Sequence, residues 1–289
     1  MPRRDNNEDL MALCSPDAHV EERMMSVSDD VALRVVTFTP GTESGNPTVL
    51  LVAGWITQIS AWEQVLKEMT KDFRVVYVET REKISSRVRT GVGYGVEEIG
   101  KDLVALVELL NLAPNSFVMF GSSLGATAIV DCFSLLSRKP LGIVLVSPNT
   151  EFRVPHTWMV VVNLFYPPLY TLIKPVAKWY LKTFRLNVKT DREQFEKYCR
   201  ALDAADPWKL KKGVLAVSSY QIWNRLPYLH VPTLLVGASK DTLHEPENFR
   251  KMASVISSAT TIDLETNKET HSKRVVEEMR AFLLRIPRG

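Results

Sequence analysis

Short unbroken apolar runs recur along the chain, and between them the apolar residues switch to helical spacing. The run Thr48-Val49-Leu50-Leu51-Val52-Ala53 has the character of a strand buried on both faces, as in a parallel sheet. Similar runs at 73–78, 116–120, 141–146, 232–237 and 260–264 predict further strands. Ahead of them, 21–27 and 31–39 read as two strands joined by Ser28-Asp29-Asp30, a hairpin signal. Ile99, Leu103, Leu106, Val107 and Leu110 give 96–110 one apolar helical face. A helix is expected from Ser60, with Ser60 as N-cap and Glu63 completing a capping box. Two more are expected, from about Pro246 and over 272–284, and 79–94 reads as a polar loop.

The pattern changes at 150–225, which has no strand-like run and many aromatic residues. Pro167-Pro168 and Pro175 are expected to cut this stretch into short helices. Thr190 with Glu193 should cap a third helix, and Asp206 followed by Pro207 should start a fourth. Strands alternating with helices, interrupted once by an all-helical stretch, imply an α/β fold. Its sheet would be doubly wound and mostly parallel, with an antiparallel start and a helical lid. The expected organisation is a poorly ordered segment at 1–20, a core at 21–149 and 226–289, and the lid at 150–225. Lys174, Lys178 and Lys182 recur every four residues and should face solvent, leaving the opposite apolar face buried against the core or the cleft. A basic stripe beside an apolar face also fits a helix lying on an anionic membrane surface, a reading ranked second.

Composition narrows the class. The 289 residues are 45% hydrophobic and 24% charged, as in a soluble globular protein. The net charge of +3 is too small to argue for a nucleic-acid partner. Three widely spaced cysteines without a CxxC pair read as reduced thiols, so a cytoplasmic location is expected. The five histidines are scattered, and neither a metal nor an organic cofactor is expected. Residues 1–10 lack the apolar stretch of a signal peptide, and no run is long enough for a spanning helix.

The chemistry centres on Gly121-Ser122-Ser123-Leu124-Gly125, which stands between the strand-like run 116–120 and a helical stretch at 126–133. Strand, tight turn and helix form the context in which G-x-S-x-G builds a nucleophile elbow. A Cβ at position 121 or 125 would strike the neighbouring strand or helix. Ser123 would stand at the C-terminal edge of the sheet, at a helix head that favours negative charge. A serine hydroxyl needs a base, and the base needs a group that fixes its tautomer. Asp241 follows the strand at 232–237, and His271 lies between the last strand and the closing helix. Both should reach the sheet edge that carries Ser123. Asp263 and Glu265 are rivals for the acid, His244 is a rival base, and His156 is a candidate substrate contact in the lid. Gly91-Val92-Gly93-Tyr94-Gly95 reads as a flexible loop, because no strand feeds it and no Gly-Lys-Ser/Thr follows. Arg81, Lys83, Arg87 and Arg89 read as a solvated loop, with a grip on an anionic substrate tail as the alternative.

On these residues the chain resembles the α/β-hydrolase superfamily in its lidded, single-domain form, over about residues 21–285. The resemblance implies Ser123 as nucleophile, His271 as general acid/base and Asp241 as its orienter. It also implies an oxyanion hole made by the backbone N–H groups of Trp55 and Leu124. Two departures stand out. Ala53-Gly54-Trp55 replaces the His-Gly common after the third strand, and Glu79-Thr80-Arg81-Glu82-Lys83 replaces Asp-x-Arg-Gly-x-Gly, so that segment is read as structural. The expected function is hydrolysis of a lipophilic carboxylic ester, a small acyl compound, by two-step acyl transfer. The same triad also serves thioester or C–C bond hydrolysis, acyl transfer and perhydrolysis, and the fold also serves as a non-enzymatic small-molecule receptor. Because a lid closes over its site, Trp158, Phe165, Tyr166 and Tyr170 are candidate pocket residues.

Overall fold

The computed structural model describes residues 7–152, 156–185, 188, 192–240 and 246–287, with the side chains of 7–8, 156–158, 184–185, 193 and 246–247 outside the description. The strands are β1 (His19–Ser28), β2 (Val31–Thr39), β3 (Thr48–Val52), β4 (Val75–Glu79), β5 (Arg87–Val88), β6 (Phe117–Ser122), β7 (Gly142–Val146), β8 (Thr233–Gly237) and β9 (Ala259–Asp263). The helices are α1 (Asn7–Met11), α2 (Glu63–Met69), α3 (Val96–Leu109), α4 (Leu124–Cys132), α5 (His156–Leu164), α6 (Tyr170–Tyr180), α7 (Arg192–Ala204), α8 (Pro207–Val217), α9 (Pro246–Val255), α10 (Asn267–Thr270) and α11 (Lys273–Leu284).

The strands form one sheet in the order β1-β2-β4-β3-β6-β7-β8-β9, with β5 pairing β2. The β1–β2 and β2–β4 pairs are antiparallel, and every pair from β4 through β3 to β9 is parallel. The unbroken apolar runs are explained by burial on both faces. Along β3, Leu50 and Val52 enter the core that holds α3 and α4, while Val49 and Leu51 enter the core that holds α2 and α11. Parallel pairing then carries the ends of β3, β6, β7, β8 and β9 to one edge of the sheet.

Three local expectations give way to other geometry. Ser60 does not cap a helix: it lies inside a 3₁₀ turn, Ile59–Trp62, and α2 starts at Glu63. In the 3₁₀ turn Ile59 and Trp62, three residues apart, are both buried in the core. Pro175 does not end a helix but lies within α6. In the stretch expected to be poorly ordered, Leu10, Leu13, Cys14 and Ala18 are buried in the α2–α11 core. Asp206 and Pro207 start α8 as expected, the Asp206 carboxylate accepting the N–H groups of Trp208 and Lys209. Thr190 lies outside the described residues.

Candidate active site

Ser123 is the residue between β6 and α4, and its backbone is strained, with φ +50° and ψ −118°. An L-residue holds that conformation only where its surroundings impose it. Here the imposition comes from close packing on both sides. A Cβ on Gly121 would stand 2.6 Å from Ile129 Cδ1 and 2.7 Å from the Ala126 backbone, and one on Gly125 would stand 2.2 Å from the Val52 carbonyl oxygen. The chain turns so sharply that only glycine fits at both shoulders. Ser122 is buried within β6, so Ser123 alone occupies the head of the elbow. Leu124 is the first residue of α4, where a backbone N–H has no partner within the helix.

The end of β3 passes directly over this elbow. A Cβ on Gly54 would stand 3.2 Å from Ser123 Cβ, so the Gly54–Trp55 backbone lies against the nucleophile candidate. The chain then makes a β-turn in which the Thr57 N–H donates to the Gly54 carbonyl at 3.2 Å. Ile56, in this turn, has φ +48°, a left-handed conformation rare for a β-branched residue. On the other side of Ser123, the amide Nδ2 of Asn149 donates to Ser123 Oγ at 2.9 Å. Asn149 is itself held by Thr127 Oγ1, which donates to its carbonyl at 2.8 Å. Sequence reasoning missed Asn149. The available signal was its place just beyond the end of β7, the parallel strand beside β6.

His271 ends α10. Although β9 lies at the far edge of the sheet, the His271 ring packs on Trp62 at 4.5 Å between centroids, and Trp62 meets Phe120 of β6 at 5.8 Å. The buried indole thus serves as a platform that carries the imidazole back toward the middle of the sheet. His271 Nδ1 lies 2.9 Å from the Asn267 carbonyl oxygen and 3.1 Å from Thr270 Oγ1. A carbonyl only accepts, so Nδ1 carries the proton in this contact and Nε2 is left as the basic nitrogen.

Asp241 and His244 lie outside the described residues. The two rival acids are otherwise engaged. The Asp263 carboxylate accepts the N–H groups of Ser239 at 3.0 Å and Glu265 at 2.9 Å. Burial works against its charge, yet the bonds from Ser239 and Glu265 and the nearby Lys240 hold its carboxyl below the usual range. Glu265 is exposed and pairs with Lys240 at 2.6 Å.

The segment read as a solvated cationic loop is partly the reverse. Arg81 and Lys83 are buried, while Arg87 and Arg89 are exposed. The Arg81 guanidinium donates twice to Asp102 of α3, both bonds 2.7 Å, and to the carbonyls of Gly93 at 2.7 Å and Glu98 at 3.1 Å. Arg81 therefore acts as a structural clamp, in keeping with the reading of 79–83 as structural. Lys83 Nζ donates to the carbonyls of Gly54 at 2.8 Å and Thr57 at 2.9 Å. Burial pushes the Lys83 amine below the usual lysine range, against the pull of Glu82 and Glu79 beside it.

The helical stretch between β7 and β8 docks through α8. A Cβ on Gly213 would touch Trp55 Nε1 at 3.4 Å, and Lys209 Nζ donates to the carbonyls of Arg81, Lys83 and Ser86 at 3.1, 2.6 and 2.6 Å. Of the lysine stripe, Lys182, beyond α6, is exposed as expected, but the two lysines within α6 run opposite to expectation. Lys174 and Lys178 turn inward to Asp203 of α7, and the apolar face of the same helix is exposed, Leu172 by 72% and Trp179 by 57%. Asp203 is far along the chain, so the helix's own spacing could not reveal it. Among the candidate pocket residues, Tyr170 is buried in the insertion, its hydroxyl donating to the Leu202 carbonyl at 2.9 Å. Tyr166 is exposed and meets Trp208 edge-on at 6.2 Å, so both rings take part in the packing of the insertion itself. Phe165 is half-buried, and the Trp158 side chain lies outside the description.

With this geometry in place, the chain was compared with known proteins. Residues 44–269 match the family model described as serine aminopeptidase, S33. The chain belongs to this α/β-hydrolase family. No curated protein matches it. Similar solved structures include a thermophilic esterase from Thermogutta terrifontis, 20% identical over 93% of this chain and 99% of that one, with a TM-score of 0.72. The enol-lactonase from Burkholderia xenovorans LB400 is 18% identical over 90% and 99%, with a TM-score of 0.72. A bromoperoxidase from Bacillus anthracis is 18% identical over 91% and 99%, with a TM-score of 0.70. At these identities the likeness is one of fold, and membership in the family makes the protein a hydrolase. Among the described residues, no helix is long and apolar enough to cross a membrane.

Proposed function

We propose that the protein is a serine esterase that hydrolyses a small lipophilic carboxylic ester by two-step acyl transfer. The observation that carries this reading is Ser123 itself, strained at φ +50° at the head of α4, with the Gly54–Trp55 backbone against it. Ser123 Oγ attacks the carbonyl carbon while His271 Nε2 takes its proton. The N–H groups of Trp55 and Leu124 bond the oxygen on which charge develops. The alcohol leaves with the proton held by His271, and water repeats the sequence on the acyl-enzyme. Asp241 is assigned as the orienter of His271. The occupation of Asp263 and Glu265 by other partners supports this choice. The Asn267 carbonyl shares the task by fixing the proton on Nδ1. The helical stretch 150–225 acts as the lid, and esterases are among the proteins of similar fold.

The test is labelling with a fluorophosphonate probe together with turnover of p-nitrophenyl esters from acetate to octanoate. Labelling should be lost in Ser123→Ala and kept in Ser122→Ala. The Ser123→Ala variant should lose roughly 10³-fold or more in kcat. Labelling that survives in Ser123→Ala, or an intact protein with no turnover of any ester, overturns the reading.

A further inference from the structure

The turn that follows β3 is strained and has no glycine where its backbone calls for one. Ile56 sits at φ +48°, a position at which glycine costs nothing and a β-branched residue is disfavoured. Such a conformation persists only when its surroundings over-determine it. Besides the Thr57 N–H on the Gly54 carbonyl and the Thr57 hydroxyl on the Trp55 carbonyl, a buried side chain from another loop holds the turn. Lys83 Nζ spans the turn, donating to the carbonyl of Gly54 at one end and of Thr57 at the other, at 2.8 and 2.9 Å. The Gly54 carbonyl belongs to the same peptide group as the Trp55 N–H. In a trans peptide the two point in opposite directions, and the chain has no cis peptide among its described residues. Fixing the carbonyl toward Lys83 therefore fixes the N–H away from it.

We propose that Lys83 is a positioning residue for catalysis, a staple that holds the Gly54–Trp55 peptide in the orientation its N–H needs to receive the oxyanion. The proposal rests on the hydrolase reading of Ser123. Both the amine and the ammonium carry the two N–H groups the staple uses. Lys83 is in turn seated by α8, because Lys209 donates to its carbonyl at 2.6 Å. A flipped peptide would turn a carbonyl oxygen toward the developing charge in place of a donor.

The experiment compares wild type with Lys83→Met, Lys83→Gln and Lys83→Arg, using p-nitrophenyl butyrate turnover and inhibition by an alkyl trifluoromethyl ketone, whose serine adduct places an oxyanion in the hole. In Lys83→Met, kcat should fall about 10- to 100-fold while KM stays within about twofold, the pattern of a lost transition-state contact. Affinity for the ketone should fall by the same factor, which a purely structural role would not produce. Lys83→Arg should recover most of the loss. If Lys83→Met does not fold, Lys83→Gln carries the comparison, with an expected loss of roughly 3- to 10-fold. Native kcat and native ketone affinity in whichever of these two variants folds overturn the proposal and leave the hydrolase reading intact. A wild-type protein that is neither labelled at Ser123 nor active fails at the earlier step, and the role of Lys83 falls with it.

Discussion

Asn149 places a hydrogen-bond donor 2.9 Å from the oxygen expected to attack. A donor at that point holds one rotamer of Ser123 and favours charge on Oγ as the proton leaves. Replacing Asn149 by Ala removes the donor, and replacing it by Asp also sets a carboxylate beside the developing charge. The order of kcat/KM should be wild type, then Asn149→Ala down roughly 3- to 10-fold, then Asn149→Asp lower still. Fluorophosphonate labelling rates should follow the same order, and an Asn149→Asp variant as fast as wild type would show that the contact is only structural. At this scale the site was half legible. The expectations at Ser123 and His271 came from the strand–turn–helix context of G-x-S-x-G and from strand order. Asn149 and Lys83 do not stand out, because an amide and a lysine at loop positions are ordinary until the fold shows which oxygen each one meets.

Helix ends show the same division between local and distant causes. Asp206 was readable as a cap because its partners are its own next neighbours, Trp208 and Lys209. Ser60 presented an equally good cap pattern, yet it lies inside a 3₁₀ turn whose Ile59 and Trp62 pack into the core. Asp206→Ala should therefore cost about 1 kcal/mol of stability, and Ser60→Ala less than about 0.5 kcal/mol, measured by chemical denaturation. Equal losses would restore Ser60 as a cap. The α6 stripe follows the same logic. Periodicity revealed two faces, but Asp203, on another helix, decided which of them turns inward. Between β4 and α3 the tie is a buried ion pair, with Arg81 bonded twice to Asp102 at 2.7 Å. Asp102→Asn leaves the guanidinium buried without its counter-charge, so stability should fall by about 3–5 kcal/mol. A loss under about 1 kcal/mol would mean that the carbonyls of Gly93 and Glu98 suffice to hold Arg81.

Across the whole molecule, the parallel strands carry their loops to one edge, and the helical insertion locks two of those loops together. Lys209 of α8 reaches the carbonyls of Arg81, Lys83 and Ser86, while Gly213, one helical turn further on, lets the same helix lie against Trp55. Burial lowers the Lys209 amine from its ordinary range, with Asp206, Glu82 and Glu79 opposing. The insertion is thus coupled to the turn at Gly54–Thr57 through a chain of direct bonds: Lys209 to the 81–86 loop, and Lys83 of that loop to the turn. Lys209→Met should remove the first link and leave its three carbonyl acceptors short of a donor. Each such loss is worth about 1 kcal/mol, so local opening should become easier by roughly 2–3 kcal/mol. In hydrogen exchange, protection should drop in 81–86 and 54–57 as well as in 207–217, while the strands β6 and β7 keep theirs. Ester turnover should fall with the loss of protection at 54–57, because that is the backbone expected to receive the oxyanion. Protection lost in 207–217 alone, with the two loops unchanged, would show that α8 covers the site without holding it.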